Sequence, residues 1–482
     1  MSYIGEILMA KLSIENIVHS VTDEIKTTLT RTIGLAGVVI ISLSAMLPGI
    51  FVTPTFAAEI MGPGIWLAYL LAASVVLPGA LSKSELASGM PTSGGSYVYI
   101  ERTYGPLIGT ISGLGLWASF LLKSAFSLIG FSAYFIVITT FFDIEMKLLT
   151  LSMSALVLIV IVNLMGVSKV KIIQTPIVIM TVLLLFVICI GSFFVDGFDV
   201  SRPIDGAFDA DGWQLAEAAA FVFVAYAGVT KVAAIGGEVK NPEKNLPAGI
   251  LLSLLIATVL YSILAFLMMA AIPGEWWIED GAVVENPIFV FAEVVAGSSF
   301  GVFAAALSVL TMISMALAGI LASSRFLFAM ARNKLLPQAL EEVNIRYETP
   351  HWPILVTGVA MALAIYYAPL KDVVKLASGF KIMIFVMINT CVLILRRSSA
   401  ETGWNPSYKG PMYPFIQWWG ILAGIVLIGF IGTKAFIGGG AAIVAGTLTY
   451  YLYGKKRFVP TSYPIEIPVP SPEAQTGNDT VQ

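Results

Sequence analysis

Three lysines stand inside long apolar stretches of the sequence, where a charged side chain is rare. They are Lys123, Lys231 and Lys381. A charge deep in a membrane helix costs roughly 2.5–3.5 kcal/mol on insertion scales, so such a lysine needs a physical reason. A buried ammonium can act as a tethered cation in place of a coupling ion, and burial moves a lysine towards a pKa range where it can release its proton.

Lys231 has the best-defined position of the three. It follows the small, flexible residues 226–228 by about one turn, and about seven residues separate it from the polar Glu238. At helical rise this places Lys231 on the order of 10 Å from the polar boundary. Two interpretations stay open: the side chain snorkels or pairs with a carbonyl of a neighbouring helix, or it is a fixed or titrating cation. For Lys123 and Lys381 the sequence favours a buried lysine that a carbonyl satisfies, and a functional cation is the second interpretation.

No residue pattern predicts an enzyme. His19 and His351 lack metal-ligand partners, and Cys189 and Cys391 lie in apolar runs as small core residues. A nucleophile–base pair, a phosphate-binding loop and a cysteine–histidine cluster are all missing from the sequence, so we expect neither catalysis nor a cofactor. The net charge of −3, with no basic cluster, gives no indication of nucleic-acid binding.

The elements that must position these residues are two interrupted apolar segments. Residues 221–247 begin as an apolar helix, become small and flexible at Gly228, and are predicted to resume as a helix that ends in a polar turn. A second segment carries Pro48, which removes a backbone donor, and Gly49, which relaxes the chain. Pro48 alone is compatible with an ordinary kink, but the second interruption favours unwinding. Discontinuous membrane helices leave backbone groups free to bind a ligand or ion at the midplane.

Composition places these segments in a membrane. Of the 482 residues, 57% are hydrophobic and 12% charged, and the mean hydropathy is +0.88. A soluble protein of this length could not bury so much apolar surface. Apolar runs of about 20 residues recur from residue 31 to 453, which predicts an all-α, polytopic membrane protein with about twelve transmembrane helices.

Lysine and arginine are concentrated in the loops that face the cytoplasm if the N-terminus is inside. This asymmetry predicts a multi-pass protein of the cytoplasmic membrane with both termini in the cytoplasm. Residues 1–30 carry charges that rule out a signal-peptide core, and their apolar spacing predicts an amphipathic helix on the membrane or the inner face. The tail 454–482 is basic, then proline-rich and polar, and is predicted to be disordered.

Four stretches make the chain resemble the amino acid–polyamine–organocation superfamily of secondary transporters. They are SELASGMPTSGGSY at 84–97, the segment 223–247, SSRFLFAMAR with its following loop at 323–350, and KGPMYP at 409–414. Each motif is weak alone, but the four occur in order within a twelve-helix pattern. The resemblance implies the leucine-transporter-like fold of two inverted five-helix repeats, here 31–195 and 212–396, followed by two further helices at 412–453.

The resemblance also implies an amino acid held between broken helices one and six. Backbone N–H groups of the first break would bind its carboxylate, and carbonyls near both breaks its ammonium. The implied substrate-binding residues are Ser44, Ala45, Met46, Leu47, Gly49, Ile50, Phe223, Val224, Tyr226, Ala227 and Gly228.

Three departures from the superfamily pattern bear on function. The first break has one glycine, Gly49, where two are usual, and Val224 stands where a gating aromatic is common, although Phe223 flanks it. Proton-coupled relatives carry a lysine midway along helix five, and Met180 or Thr181 occupies that place here. Glu85 and Arg325, at the ends of spans, are interpreted as gate or loop-anchoring charges.

Coupling is predicted from hydroxyls and lysines. Sodium-driven members of this fold bind an ion between the first break and hydroxyls on helix eight, where Thr311 and Ser314 lie three residues apart on one face. This partial site has no carboxylate, so sodium-independent transport is expected, with proton stimulation through Lys231 or, failing that, Lys123.

The substrate class stays open between amino acids and polyamines or other organic amines. A polyamine carrier or exchanger would be favoured by acidic residues at the breaks, and none is present there. An amino acid sensor on a transporter scaffold is the alternative of another class, but sensors usually add a long signalling domain, and only about 30 residues follow the last predicted span. The expected partners are an amino acid as the small-molecule substrate, protons and membrane lipid. The sequence does not predict the oligomeric state.

Overall fold

The computed structural model describes residues 31–91, 95–165, 170–229, 231–234, 236–344, 347 and 349–458. The predicted amphipathic segment 1–30 and residues 459–482 of the predicted disordered tail lie outside the described residues.

The described chain is built from α-helices joined by short turns. In chain order the helices are α1 (Leu35–Met46), α2 (Thr53–Met61), α3 (Ile65–Gly89), α4 (Ser96–Tyr104), α5 (Pro106–Phe141), α6 (Leu148–Leu164), α7 (Val170–Gly191), α8 (Ser201–Asp209), α9 (Gly212–Tyr226), α10 (Pro242–Ala271), α11 (Pro287–Ala296), α12 (Ser298–Arg332), α13 (His351–Tyr367), α14 (Leu370–Arg397), α15 (Ser399–Thr402), α16 (Phe415–Ile431) and α17 (Thr433–Thr449). The strands are β1 (Ile278–Glu279) and β2 (Ala282–Val283), which pair antiparallel in the loop before α11.

Within the described ranges, seven helices are long and apolar enough to cross a membrane, judged by length and composition. Shorter apolar helices of 10–17 residues accompany them, α6, α13 and α16 among these. A bilayer core needs about 20 helical residues, so the structure is that of a multi-pass, helical membrane protein. The count of twelve spans and the arrangement in two inverted repeats of five helices each stay predictions.

The two longest helices, α5 and α12, pack against each other at the centre of the bundle. The Ser127 hydroxyl of α5 donates to the Met312 carbonyl of α12 at 3.1 Å. At Gly319 of α12 there is no room for a side chain, because the side chain of Ser124 fills that space. These polar and small residues bring the helices together where lipid gives no hydrophobic drive for association.

The first apolar segment is discontinuous. Helix α1 ends at Met46, a 3-10 turn covers Leu47–Gly49, and α2 begins at Thr53. Pro48 has no N–H to continue the α-helical ladder, which explains why the chain leaves it here. The Thr53 hydroxyl donates to the Gly49 carbonyl at 2.8 Å and so satisfies one of the backbone groups that the interruption exposes.

The segment after α9 differs from the sequence prediction. We expected a helix to resume after Gly228, but the described residues form two short 3-10 turns, Lys231–Ala234 and Gly236–Glu238. Beyond them the chain pairs with the residues before α1: Ile33 and Val239 form a parallel bridge. Backbone bonds to a distant strand-like partner, together with the glycines of this segment, outweigh its local preference for helix.

Candidate functional site

The two interruptions lie against each other. Gly49, in the first, packs on Ala225 of α9, and a β-carbon at Gly49 would come within 2.5 Å of the Ala225 β-carbon. Gly228, in the second, packs on Ala45 of α1, and its β-carbon would come within 2.7 Å of that of Ala45. Each glycine therefore faces the alanine that precedes the other interruption, and the contact is reciprocal.

This contact changes the explanation for the two glycines. From the sequence, we expected each to let the backbone approach a ligand. In this conformation each instead lets its backbone approach the opposite half-helix, and Gly49, Gly228 and their alanine partners are buried. A ligand between the interruptions would therefore require the two half-helices to separate.

The first interruption presents a backbone donor. The N–H groups of Ile50 and Val52 donate to the carbonyls of Leu47 and Gly49. Between them, the buried Phe51 N–H has no acceptor among the described residues. It lies just before the N-terminus of α2, where the helix dipole favours negative charge. This position suits a carboxylate.

A tyrosine of α5 fixes the first interruption in place. The Tyr134 hydroxyl donates to the Phe51 carbonyl at 2.6 Å and accepts the Ile288 N–H of α11 at 3.1 Å. One buried hydroxyl thus ties the interruption to two other helices. Sequence analysis did not single out Tyr134, because a tyrosine in an apolar span is most often a packing residue.

A lysine binds the second interruption. The Lys123 ammonium of α5 donates to the Val224 carbonyl at 2.9 Å, and Lys123 is 2% exposed. The same carbonyl accepts the Ala227 N–H at 3.1 Å. Val224 lies near the C-terminus of α9, where the helix dipole favours a cation. The structure therefore shows Lys123 satisfied by a carbonyl, which was one of the two sequence interpretations.

Ser378 of α14 also binds α9 at this point. Its hydroxyl accepts the Val224 N–H at 3.1 Å and donates to the Phe221 carbonyl, also at 3.1 Å. Ser378 was missed in the sequence because a serine in a membrane helix usually bonds within its own helix. The one available signal was its position one turn before Lys381.

The two aromatic residues of the predicted site point in different directions. The Phe223 ring meets Phe385 of α14 at right angles, with centroids 5.8 Å apart. The Tyr226 hydroxyl donates to the Tyr69 carbonyl of α3, and its ring packs on Tyr261 of α10. Phe223 therefore faces α14, whereas Tyr226 is held among the helices on the other side of α9.

The remaining predicted substrate residues are buried with few polar contacts. The Ser44 hydroxyl donates to the Ile41 carbonyl at 2.8 Å, inside its own helix. Met46, Leu47 and Ile50 are fully buried. They contribute apolar surface next to the interruptions.

The other two lysines lie close to Lys123, and both are within electrostatic range of it. Lys231 is half-buried at the start of its 3-10 turn, where its N–H donates to the Gly228 carbonyl at 2.9 Å. Lys381 is 1% exposed, and its ammonium lies over the rings of Phe120, at 5.1 Å, and Phe385, at 5.4 Å.

One hydroxyl of the predicted partial ion site on helix eight has a partner on another helix. The Thr311 hydroxyl of α12 pairs with that of Thr181 on α7 at 2.8 Å. Ser314 is half-buried, and its carbonyl lies 3.4 Å from the Gln174 side-chain nitrogen. Thr181 is one of the two residues that align with the coupling lysine of proton-coupled relatives, and the other, Met180, is exposed.

Glu85 and Arg325 have different surroundings. Glu85 of α3 is fully buried and accepts from Arg396 of α14 through both oxygens, at 2.7 Å for the Arg396 Nε. It also accepts the Gly410 N–H at 2.9 Å, so it anchors the loop that leads to α16. Arg325 is exposed on α12.

The family described as "Amino acid permease" matches residues 28–453, which is most of the chain and includes both interruptions. The chain belongs to the amino acid permease family. It is therefore a membrane transporter and not an enzyme, as the sequence predicted.

Three named relatives of this permease share about a quarter of its residues over 79–93% of its length. The branched-chain amino acid permease BcaP of Bacillus subtilis is 27% identical, over 93% of this chain and 97% of its own. The methylthioribose transporter of the same organism is 28% identical, over 89% and 94%. Its serine/threonine exchanger SteT is 26% identical, over 79% and 86%.

Proposed function

We propose that this permease carries amino acids across the cytoplasmic membrane by alternating access, with its substrate between the two interruptions. The observation that carries this proposal is the reciprocal contact of Gly49 with Ala225 and of Gly228 with Ala45. The contact places the first interruption, which carries the Phe51 N–H without an acceptor among the described residues, against the C-terminal end of α9. Relatives named as amino acid permeases and exchangers support the substrate class.

The polyamine alternative receives no support from the site. A carrier of polyamines needs anionic groups to offset the charge of its substrate. The structure instead shows a cation bound at an interruption, since the Lys123 ammonium donates to the Val224 carbonyl.

Transport is proposed to be sodium-independent and stimulated by an inward proton gradient. The Thr311 hydroxyl, which would contribute to a sodium site, is engaged with Thr181 and the Leu307 carbonyl. Hard cations require several oxygen ligands, and carboxylates are the strongest of these in proteins. Lys231 follows the second interruption directly and is the proposed group that exchanges the proton.

Uptake of labelled amino acids into proteoliposomes tests this coupling. With imposed gradients, the native protein is expected to respond to protons and not to sodium. Lys231→Met should keep the fold and lose the pH dependence, while Lys434→Met, at an exposed site, should keep it. Strong sodium stimulation would refute the proposal. An unchanged pH profile in Lys231→Met would transfer the role to Lys123 or leave a uniporter or exchanger.

The proposed orientation puts both termini in the cytoplasm. The acidic loop 273–286 then lies outside, and the polar stretch 332–351 lies inside. A cysteine introduced into each should react differently with an impermeant thiol reagent on intact cells, since the natural Cys189 and Cys391 are buried. Labelling is expected in the first loop only, and the reverse pattern would contradict the orientation.

A further inference from the structure

The Val224 carbonyl has no capacity left for a substrate ammonium. A carbonyl oxygen has two lone pairs, and at Val224 these meet the Ala227 N–H at 3.1 Å and the Lys123 ammonium at 2.9 Å. Lys123 therefore occupies a position where the resemblance puts the amino group of a substrate. A second ammonium at this point would also be repelled by Lys123.

Further lysines lie near Lys123, and aromatic rings separate them from one another. Lys381 lies over Phe120, which is one turn before Lys123 on α5, and over Phe385. Phe385 in turn lines a cleft, too narrow for a water molecule, together with Lys83. Four lysines therefore lie towards one region beside the second interruption. They come from α3, α5, α14 and the 3-10 turn that begins at Lys231.

The described carboxylates lie away from three of these lysines. No described carboxylate lies within 4 Å of Lys83, Lys123 or Lys231, and Lys83 is 6% exposed. Glu85, which is two residues from Lys83, is already engaged by Arg396. A buried charge without a counter-charge is unfavourable, so a bound anion would stabilise the charged form of Lys123.

We propose that the substrate of this permease is an organic carboxylate with a net negative charge. This inference rests on the proposed transport site and specifies its substrate class. A carboxylate of the substrate faces the Phe51 N–H, and the net negative charge of the substrate offsets the charge of the Lys123 ammonium. Acidic amino acids and 2-oxo acids share this chemistry, whereas a neutral amino acid would leave Lys123 without a counter-charge.

Two matched pairs of compounds test the charge preference on the purified full-length protein. L-glutamate is compared with L-glutamine, and 4-methyl-2-oxopentanoate with L-leucine, by their effect on the thermal unfolding midpoint. A ligand of the folded state raises this midpoint with occupancy, which gives an apparent Kd for each compound. At least one anion is expected to bind at least tenfold more tightly than its neutral counterpart. Equal or tighter binding of the neutral members of both pairs would overturn the inference.

Substitution of the lysine then tests its role. Lys123→Met should reduce the anion preference to about twofold or less, whereas Lys371→Met, whose lysine pairs with Glu59, should keep it. An undiminished preference in Lys123→Met would overturn the role of Lys123. If that variant does not fold, Lys381→Met, in the same region, replaces it, and the preference of the native protein still decides the inference.

The outcomes separate this inference from the proposed function. Binding of glutamine or leucine without glutamate or the 2-oxo acid would leave an amino acid permease and refute the anionic substrate. Binding of the 2-oxo acid alone would support the anionic substrate and refute the amino acid assignment. If none of the four compounds binds at millimolar concentration, the inference is refuted, and uptake of the other amino acids then decides the proposed function separately.

Discussion

The lysines at the N-terminal end of α14 and the lysine in the middle of the same helix have different binding partners. At the N-terminal end, Lys371 pairs with Glu59 of α2 at 2.6 Å, and Lys375 pairs with Glu217 of α9 at 3.2 Å. One turn apart, the two lysines join α14 to both half-helices that border the interruptions. Their charges are neutralised by the protein itself.

Less than two turns further along, Lys381 lies between the rings of Phe120 and Phe385. Its neighbour Lys123 on α5 donates to a backbone carbonyl, that of Val224. The Val224 carbonyl offers Lys123 a dipole, and the two rings offer Lys381 the negative faces of their quadrupoles. Carboxylates therefore pair with the lysines at the N-terminal end of α14, whereas Lys123, beside the middle of the helix, is bound by a carbonyl.

The largest stability effect is expected at the buried ion pair at the other end of α14. Glu85→Gln would leave Arg396 without its counter-charge and weaken the anchor of Gly410. Removal of one partner of a buried pair typically destabilises by about 3–5 kcal/mol, and partial exposure of Arg396 favours the lower value. Thermal unfolding in detergent should show a clear decrease of the midpoint. A midpoint equal to that of the native protein would contradict the anchoring role.

A smaller effect is expected for the hydroxyl pair of Thr181 and Thr311. Thr181→Val and Thr311→Val each remove one side of a buried hydrogen bond of 2.8 Å. A neutral hydrogen bond contributes about 1 kcal/mol, so the double variant should be more stable than the sum of the single variants by about that amount. Strict additivity of the three unfolding free energies would show that the two hydroxyls do not interact.

The smallest effect is expected at the exposed end of α14. Glu59→Gln removes a pair whose side chains are 31% and 36% exposed, and such pairs contribute about 0–1 kcal/mol. The small stability difference should decrease further in high salt, because exposed charges are screened. A loss as large as that of Glu85→Gln would remove the distinction between the exposed and the buried pair.

Local sequence signals predicted the positions of both interruptions. Pro48 lacks a donor and Gly228 weakens its helix, and both effects act within a few residues of the chain. The same local reasoning failed after Gly228, where we expected a helix. The backbone of Lys240 donates to the Ile33 carbonyl there, and a partner about 200 residues away in sequence leaves no local signal.

The contacts between helices that form the candidate site could not be predicted from the sequence either. Lys123 was singled out as a buried lysine, but its bond to the Val224 carbonyl depends on how α5 packs on α9. Tyr134 and Ser378 were missed, because hydroxyls in apolar helices are common and their partners lie on other helices. Residue types therefore predicted where the chain is interrupted, and tertiary packing determined what binds there.

The most direct test of the account is transport by variants with one added methyl group at the contact of the interruptions. Gly49→Ala would place a β-carbon against the backbone of Ala225, and Gly228→Ala would place one against the backbone of Ala45. Each added methyl group would force the two interruptions apart. Gly440→Ala, in open space on α17, is the matched control. Uptake into proteoliposomes should decrease more than tenfold for both site variants, and further for leucine at the same positions. All variants should fold in detergent, and uptake by the control should equal that of the native protein. Native uptake by both leucine variants would contradict a substrate site between the interruptions.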